Sequence, residues 1–181
     1  MKNKLIIIEA PSNLGLIEPM TGKEPGVRKL PEWLRSYGLY EILSPHKIIQ
    51  VTAPAYKMEL NEETGVRNTD EIITFSRKLS HEVLSTLKQG WFPLVIGGDC
   101  SVLIGSVCGI KTTGRYGLFY IDGHTDFIMP HTSFTKGAAG MDLAIVTGNG
   151  HEKLTNIDGL KPYVNESDVI AFGNRYFNLD Y

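Results

Sequence analysis

A three-layer α/β/α fold around a mainly parallel sheet is what this 181-residue sequence predicts. Three observations carry the prediction. Short β-rich runs alternate with helix-period segments along the chain. The inner runs are continuously apolar, as strands covered on both faces are, rather than alternating. No hairpin dipeptide joins neighbouring strand-like runs, so the connections are crossovers.

Each element follows from its residues. Leu5 to Ile8 is a continuous apolar strand, followed by a Gly- and Pro-punctuated loop from Pro11 to Gly26. Lys29 to Tyr37 has Leu30, Trp33, Leu34 and Tyr37 at spacings of three and four, and Pro31 is tolerated in a first helical turn. Ile48 to Val51 is the next strand, closed by Ala53-Pro54. Thr69 to Lys88 is the longest helix, with Asn68 or Thr69 as cap and Asp70 and Glu71 suiting its positive end. Its buried stripe is Ile72, Phe75, Leu79, Val83 and Leu87, and Gly90 stops it. Leu94 to Ile96 and Gly117 to Ile121 read as buried parallel strands, with a helix from Val102 to Ile110 between them. Met141 to Val146 begins another helical segment and Asp168 to Phe172 a last strand. No linker, repeat or low-complexity tract interrupts the chain, so residues 1–181 are expected to form a single domain.

Composition narrows the function classes. A net charge of −2 with no Lys/Arg cluster leaves no electrostatic footprint for nucleic acid. The amino-terminal apolar run breaks at Glu9 and Pro11, too short for a secretory signal, and no stretch is long enough to span a bilayer. The expectation is a soluble, cytoplasmic protein with no membrane partner. Cys100 and Cys108 lie eight residues apart on the expected helix, a rise of about 12 Å that no disulfide spans, so both are expected as free thiols.

Two loops leave strand ends with chemistry-bearing side chains, and in open α/β sheets that edge is where ligands bind. After Ile121 come Asp122, His124 and Asp126 at alternate positions. In extended backbone they point to one side, where two carboxylates and an imidazole suit a divalent cation. The spacing alone equally fits a polar loop whose carboxylates cap the next helix. After Ile96 come Gly97-Gly98-Asp99-Cys100-Ser101. Glycines there allow a close backbone approach, and the following helix N-terminus is expected to lower the Cys100 pKa. Read alone, Cys100 also fits a small buried hydrophobe.

Taken in order, Gly97-Gly98-Asp99-Cys100-Ser101, Asp122-Gly123-His124-Thr125-Asp126 and Gly137-Ala138-Ala139-Gly140-Met141-Asp142-Leu143 resemble the motifs of the arginase/agmatinase/formiminoglutamase superfamily, the ureohydrolases. Gly26-Val27-Arg28 with Leu34 to Leu39 resembles that family's first helix. The resemblance implies a binuclear manganese centre at the carboxyl edge of the sheet and hydrolysis of a C–N bond in a linear guanidino or amidine substrate. It implies that Asp122 bridges both metals, that His124 and Asp126 each bind one, and that Asp126 is the catalytic residue passing a proton to the leaving amine. Asp99 would stand behind these ligands and fix the turn. A homo-oligomer, trimeric or hexameric, is implied as well.

Three departures from the family pattern stand in the sequence. Cys100 replaces the histidine that usually follows Gly-Gly-Asp; as a thiolate ligand it would shift metal preference from Mn2+ toward Zn2+ or Fe2+. By ungapped spacing the family's proton-shuttling histidine falls on Ala139, and its polar substrate-holding positions fall on Ile128, Thr135 and Gly137, which weakens arginine as the substrate. His131, in the same loop, is either a replacement imidazole or a solvent-exposed side chain. Finally, nothing matches the family's later Ser-x-Asp-x-Asp-x-x-Asp-Pro motif, so the chain reads as the N-terminal portion of the fold, truncated at its C-terminus, with half a metal shell. Three function readings follow. They are a ureohydrolase-type metal hydrolase incomplete in this chain, a non-catalytic fragment or pseudoenzyme, and a metal-free hydrolase with Cys100 as nucleophile and His124 as base.

Overall fold

The computed structural model describes residues 4–175. Its centre is a three-stranded parallel sheet ordered β2 (Lys47–Gln50), β1 (Leu5–Ala10), β5 (Phe92–Gly97). β1 lies between the other two, with Ile7 opposite Ile48 on one side and Leu94 on the other. Strand alternation sends Ile6 and Ile8 into the main core and Ile7, with Ile96, to the opposite face. A strand that must be apolar on both sides cannot alternate, which is why Leu5 to Ile8 is an unbroken apolar run. Between β2 and β5 the chain forms a two-residue antiparallel pair, β3 (Leu60–Asn61) and β4 (Val66–Arg67).

Two short helices, α1 (Leu30–Ser36) and α2 (Leu39–Leu43), cover the Ile7 face through Leu34, Leu39, Tyr40 and Leu43. Of the stripe predicted on the first helix, Leu34 alone packs against the sheet. Leu30, Trp33 and Tyr37 stay exposed, Trp33 and Tyr37 stacking on one another at 5.8 Å. A seven-residue helix is too short to present a full stripe to the sheet, and Tyr40 on α2 supplies the missing aromatic.

On the other face lies α3 (Thr69–Lys88), with the bounds the sequence predicts, burying Ile72, Phe75, Leu79 and Val83. Its N-cap residue is Asn68, as predicted, but the side chain does not cap. Asn68 sits in the left-handed region at φ 53° and makes no side-chain capping bond. Its amide instead donates to the Leu14 carbonyl at 2.9 Å, so a buried Asn68 joins two loops rather than closing the helix end. α4 (Val102–Lys111) packs closely against α3. Gly105 makes this possible, because a Cβ there would stand 2.9 Å from the Ser76 Cα.

β6 (Leu118–Ile121) pairs in parallel with β7 (Val169–Phe172) in a second, two-stranded sheet, and among the described residues neither pairs with the first sheet. The sequence predicts β6 covered on both faces, but only one is. Tyr120 is buried, whereas Phe119, Ile121, Ile170 and Phe172 are 74%, 76%, 55% and 70% exposed. The helices α5 (Asp142–Val146) and α6 (Glu152–Thr155) complete the layer around α4 and α3. Among the described residues no helix is long and apolar enough to cross a membrane.

Candidate metal centre

The site forms where the chain leaves β5 and β6. Past Gly97 the backbone runs so close to the loop after β1 that a Cβ at Gly98 would stand 1.7 Å from the Ser12 carbonyl oxygen, so this turn requires glycine. Asp99 fastens it. One carboxylate oxygen accepts the Ser101 N–H at 2.9 Å and the other the Gly15 N–H at 3.3 Å, tying the turn to the loop after β1. Cys100 is thereby held, exposed, just before α4.

β6 ends at Ile121, and the motif beyond it is not extended. Asp122 accepts the His124 N–H at 2.9 Å, closing a tight turn, and Asp126 takes a left-handed backbone at φ 47°. Convergence therefore comes from turn geometry and not from the strand alternation that the spacing suggests. One ligand atom each from Cys100, Asp122 and Asp126 lies within 4.8 Å of the others. His124 is not in that group. Its Nε2 is 2.9 Å from the Arg175 guanidinium, and its Nδ1 is 3.5 Å from Asp122. Because guanidinium only donates, Nε2 accepts and the ring proton sits on Nδ1, toward the Asp122 carboxylate.

Behind Asp126 lies a second layer. Tyr120, near the end of β6, donates its hydroxyl to Asp126 at 2.6 Å and stands 3.1 Å from Asp142. Asp142, at the start of α5, is fully buried; one oxygen accepts the Leu143 N–H at 2.8 Å, and the other has no hydrogen-bond partner. Burial raises the Asp126 carboxyl pKa, opposed by the Tyr120 bond. Burial, reinforced by the Asp126 charge, raises Asp142 well above the ordinary carboxylate range. Tyr120 and Asp142 were given no role from sequence, although Asp142 lies in the Gly137 to Leu143 motif. The one available signal was a hydroxyl inside an apolar strand and a carboxylate inside an apolar helix.

Cys100 corrects an expectation. Its thiol is pushed up to about 12, first by the protein packed around the sulfur, although the residue keeps an exposed edge, and then by the charges of Asp142, Asp126, Asp122 and Asp99. Four carboxylates outweigh the partial charge of a helix end. The same excess of negative charge makes the cluster a fit for a divalent cation, which would neutralise the carboxylates and favour the thiolate. Elsewhere in the loop, His131 is exposed and Ala139 is buried, its N–H bonded to the Gly15 carbonyl.

Fold and site together describe an α/β protein with an acidic cluster that could hold a metal ion at the carboxyl ends of parallel strands. The chain belongs to the arginase family, whose pattern matches residues 3–178. It is similar to the arginase of Staphylococcus aureus strain COL, with 35% identity over 96% of this chain and 58% of that protein. Among solved structures, arginase from Bacillus caldovelox superposes at a TM-score of 0.83 with 29% identity, covering 96% of this chain and 58% of the other. Entamoeba histolytica arginase in complex with L-ornithine superposes at 0.81 with 26% identity, covering 98% and 60%. The chain thus spans about three-fifths of the length of these relatives.

Proposed function

We propose that this polypeptide carries the first part of a ureohydrolase metal centre, acting in hydrolysis of a C–N bond in a linear guanidino or amidine compound. The observation that supports this best is the meeting of Cys100, Asp122 and Asp126 within 4.8 Å at the ends of β5 and β6 in an arginase-family fold. In this reading Asp122, Asp126 and Cys100 hold the cation. His124 is a further donor that must exchange Arg175 for it. Family membership favours manganese, and the soft Cys100 sulfur moves the preference toward zinc or iron. Bound cations of this kind supply a nucleophilic hydroxide near neutral pH.

The chain's own residues would orient the substrate and move protons. As water adds to the central carbon and the C–N bond breaks, the leaving amine needs a proton, and Asp126 is placed to hold and deliver one. Its raised carboxyl pKa suits that task better than an ordinary aspartate would. A cavity of about 330 Å³ is lined by Leu16, Ile17, Pro19, Pro25, Thr135 and Ala139, and none of Cys100, Asp122 and Asp126 lines it. Arginine has little support as the substrate, because the polar substrate-holding positions of the family fall on Ile128, Thr135 and Gly137. A metal-free mechanism on Cys100 has little support, because its thiol is held protonated and His124 is engaged by Arg175.

The later acidic motif of the family has no match in these 181 residues, so the 181-residue chain assayed by itself is expected to bind metal without turnover. Calorimetric titration with Mn2+ and Zn2+, alongside urea and ammonia assays on agmatine, guanidinobutyrate, formiminoglutamate and arginine, tests the proposal. One equivalent of cation per chain, abolished in Asp122→Ala, and no turnover by the isolated chain are expected. Failure to bind either metal rejects the centre. Two equivalents of manganese with product release would show that the chain suffices by itself.

A further inference from the structure

Tyr120 and Asp142 lie outside the three-residue cluster but are built against it. The Tyr120 hydroxyl has one proton to give, and its shorter contact is the 2.6 Å bond to Asp126 Oδ2. The longer contact, 3.1 Å, to Asp142 Oδ1 is the weaker arm of the same bond, the one proton being shared between two acceptors. We propose that Tyr120 is a positioning residue of the metal centre, and that Asp142 anchors it. By occupying Oδ2 of Asp126, Tyr120 leaves Oδ1 as the oxygen presented to the cation. The inference rests on the metal-centre reading above.

Three features support a strut over mere packing. Asp126 lies on a loop outside regular structure, with left-handed backbone, so nothing in its own segment fixes its side-chain rotation. Tyr120 stands on β6, whose register with β7 places Tyr120 opposite Ala171, so the strut has a rigid base. Asp142 is fully buried with one oxygen lacking a partner. A core that needed only volume there would be better served by an apolar side chain, since an unpartnered buried carboxylate is costly. Retaining it makes sense if its Oδ1 is needed to hold the Tyr120 hydroxyl in place, fixed itself by the Leu143 N–H.

The test is titration of the whole chain with Mn2+ and with Co2+, the latter followed by its d–d absorption. Wild type, Tyr120→Phe, Asp142→Ala, Asp142→Asn and Asp142→Leu are compared, with circular dichroism verifying the fold. Residues that orient metal ligands cost about 10–100-fold in affinity when removed, and that loss is expected for Tyr120→Phe together with an altered Co2+ spectrum. Asp142→Ala should move in the same direction. Asp142→Asn keeps an oxygen for Tyr120 and should recover most of the loss seen with alanine, which a charge role would not produce; Asp142→Leu, which keeps the volume without the oxygen, should not recover it, which a packing role would not produce. A folded Tyr120→Phe chain with wild-type affinity and spectrum overturns the proposal. If that variant does not fold, a folded Asp142→Ala chain with wild-type behaviour overturns it equally. Wild type that takes up neither metal rejects the metal-centre reading itself and the strut with it, whereas wild-type binding with unaffected variants rejects the strut alone.

Discussion

At Cys100 two effects oppose each other. A helix N-terminus favours an anion by about 0.3–1 kcal/mol, whereas burial among four carboxylates raises the thiol to about 12. Sequence shows the helix end because it is local. It does not show the carboxylates, because Asp122, Asp126 and Asp142 arrive from other elements. Asp142 itself carries a pH prediction. Its carboxyl pKa is raised in the fold, so the stability associated with its proton is fully present below the ordinary carboxylate range and is lost as pH rises through the raised value. Asp142→Asn, which cannot ionise, should therefore stabilise the metal-free chain near neutral pH and raise its melting temperature. The gain should vanish below about pH 4, where the wild-type carboxyl is protonated in both states. Melting temperatures of both proteins across that range check it. A gain that persists unchanged into acid would contradict the assignment.

Among the elements, α3 was the most legible and β6 the least. Twenty residues of 3.6-residue period, acidic first turn and terminal glycine define α3 without reference to anything else. Asn68 is its N-cap residue, as expected, but the side chain makes a long-range bond to Leu14 in place of a capping bond. The α3–α4 contact is made through Gly105, where a Cβ would meet the Ser76 Cα at 2.9 Å and the Ser76 carbonyl oxygen at 2.9 Å. Backbone cannot give way as a flexible side chain can, so Gly105→Ala should destabilise the chain by about 1–3 kcal/mol despite alanine's better helix propensity. Urea denaturation measures this, and an equally or more stable variant would show that the two helices separate freely. In β6, a four-residue apolar run reads as covered on both faces, but the neighbours that would cover Phe119 and Ile121 are not local to the strand.

For the whole molecule, the described residues form two parallel sheets, and the outer face of the β6–β7 sheet bears Phe119, Ile121, Ile170 and Phe172. Apolar patches of that kind seldom stay solvated. The isolated chain should self-associate with rising concentration, and Phe119→Lys with Ile121→Lys should shift it toward monomer. Sedimentation velocity over a concentration series decides this; a wild-type chain that stays monomeric throughout would show the face to be tolerated in water.

The sequence by itself determined the α/β class, the central apolar strand, the long helix and the family motifs, because period, turn chemistry and motif order are written in neighbouring residues. It also named Cys100, Asp122, His124 and Asp126 as candidates. Tertiary structure alone decided which of these approach one another. Cys100 comes from the turn after β5 and Asp122 and Asp126 from the turn after β6, while Arg175 draws the His124 ring to itself. It alone brought Tyr120 and Asp142 together across 22 residues of sequence. Such meetings depend on how strands and helices pack, and a carboxylate's environment is set by every element that packs against it.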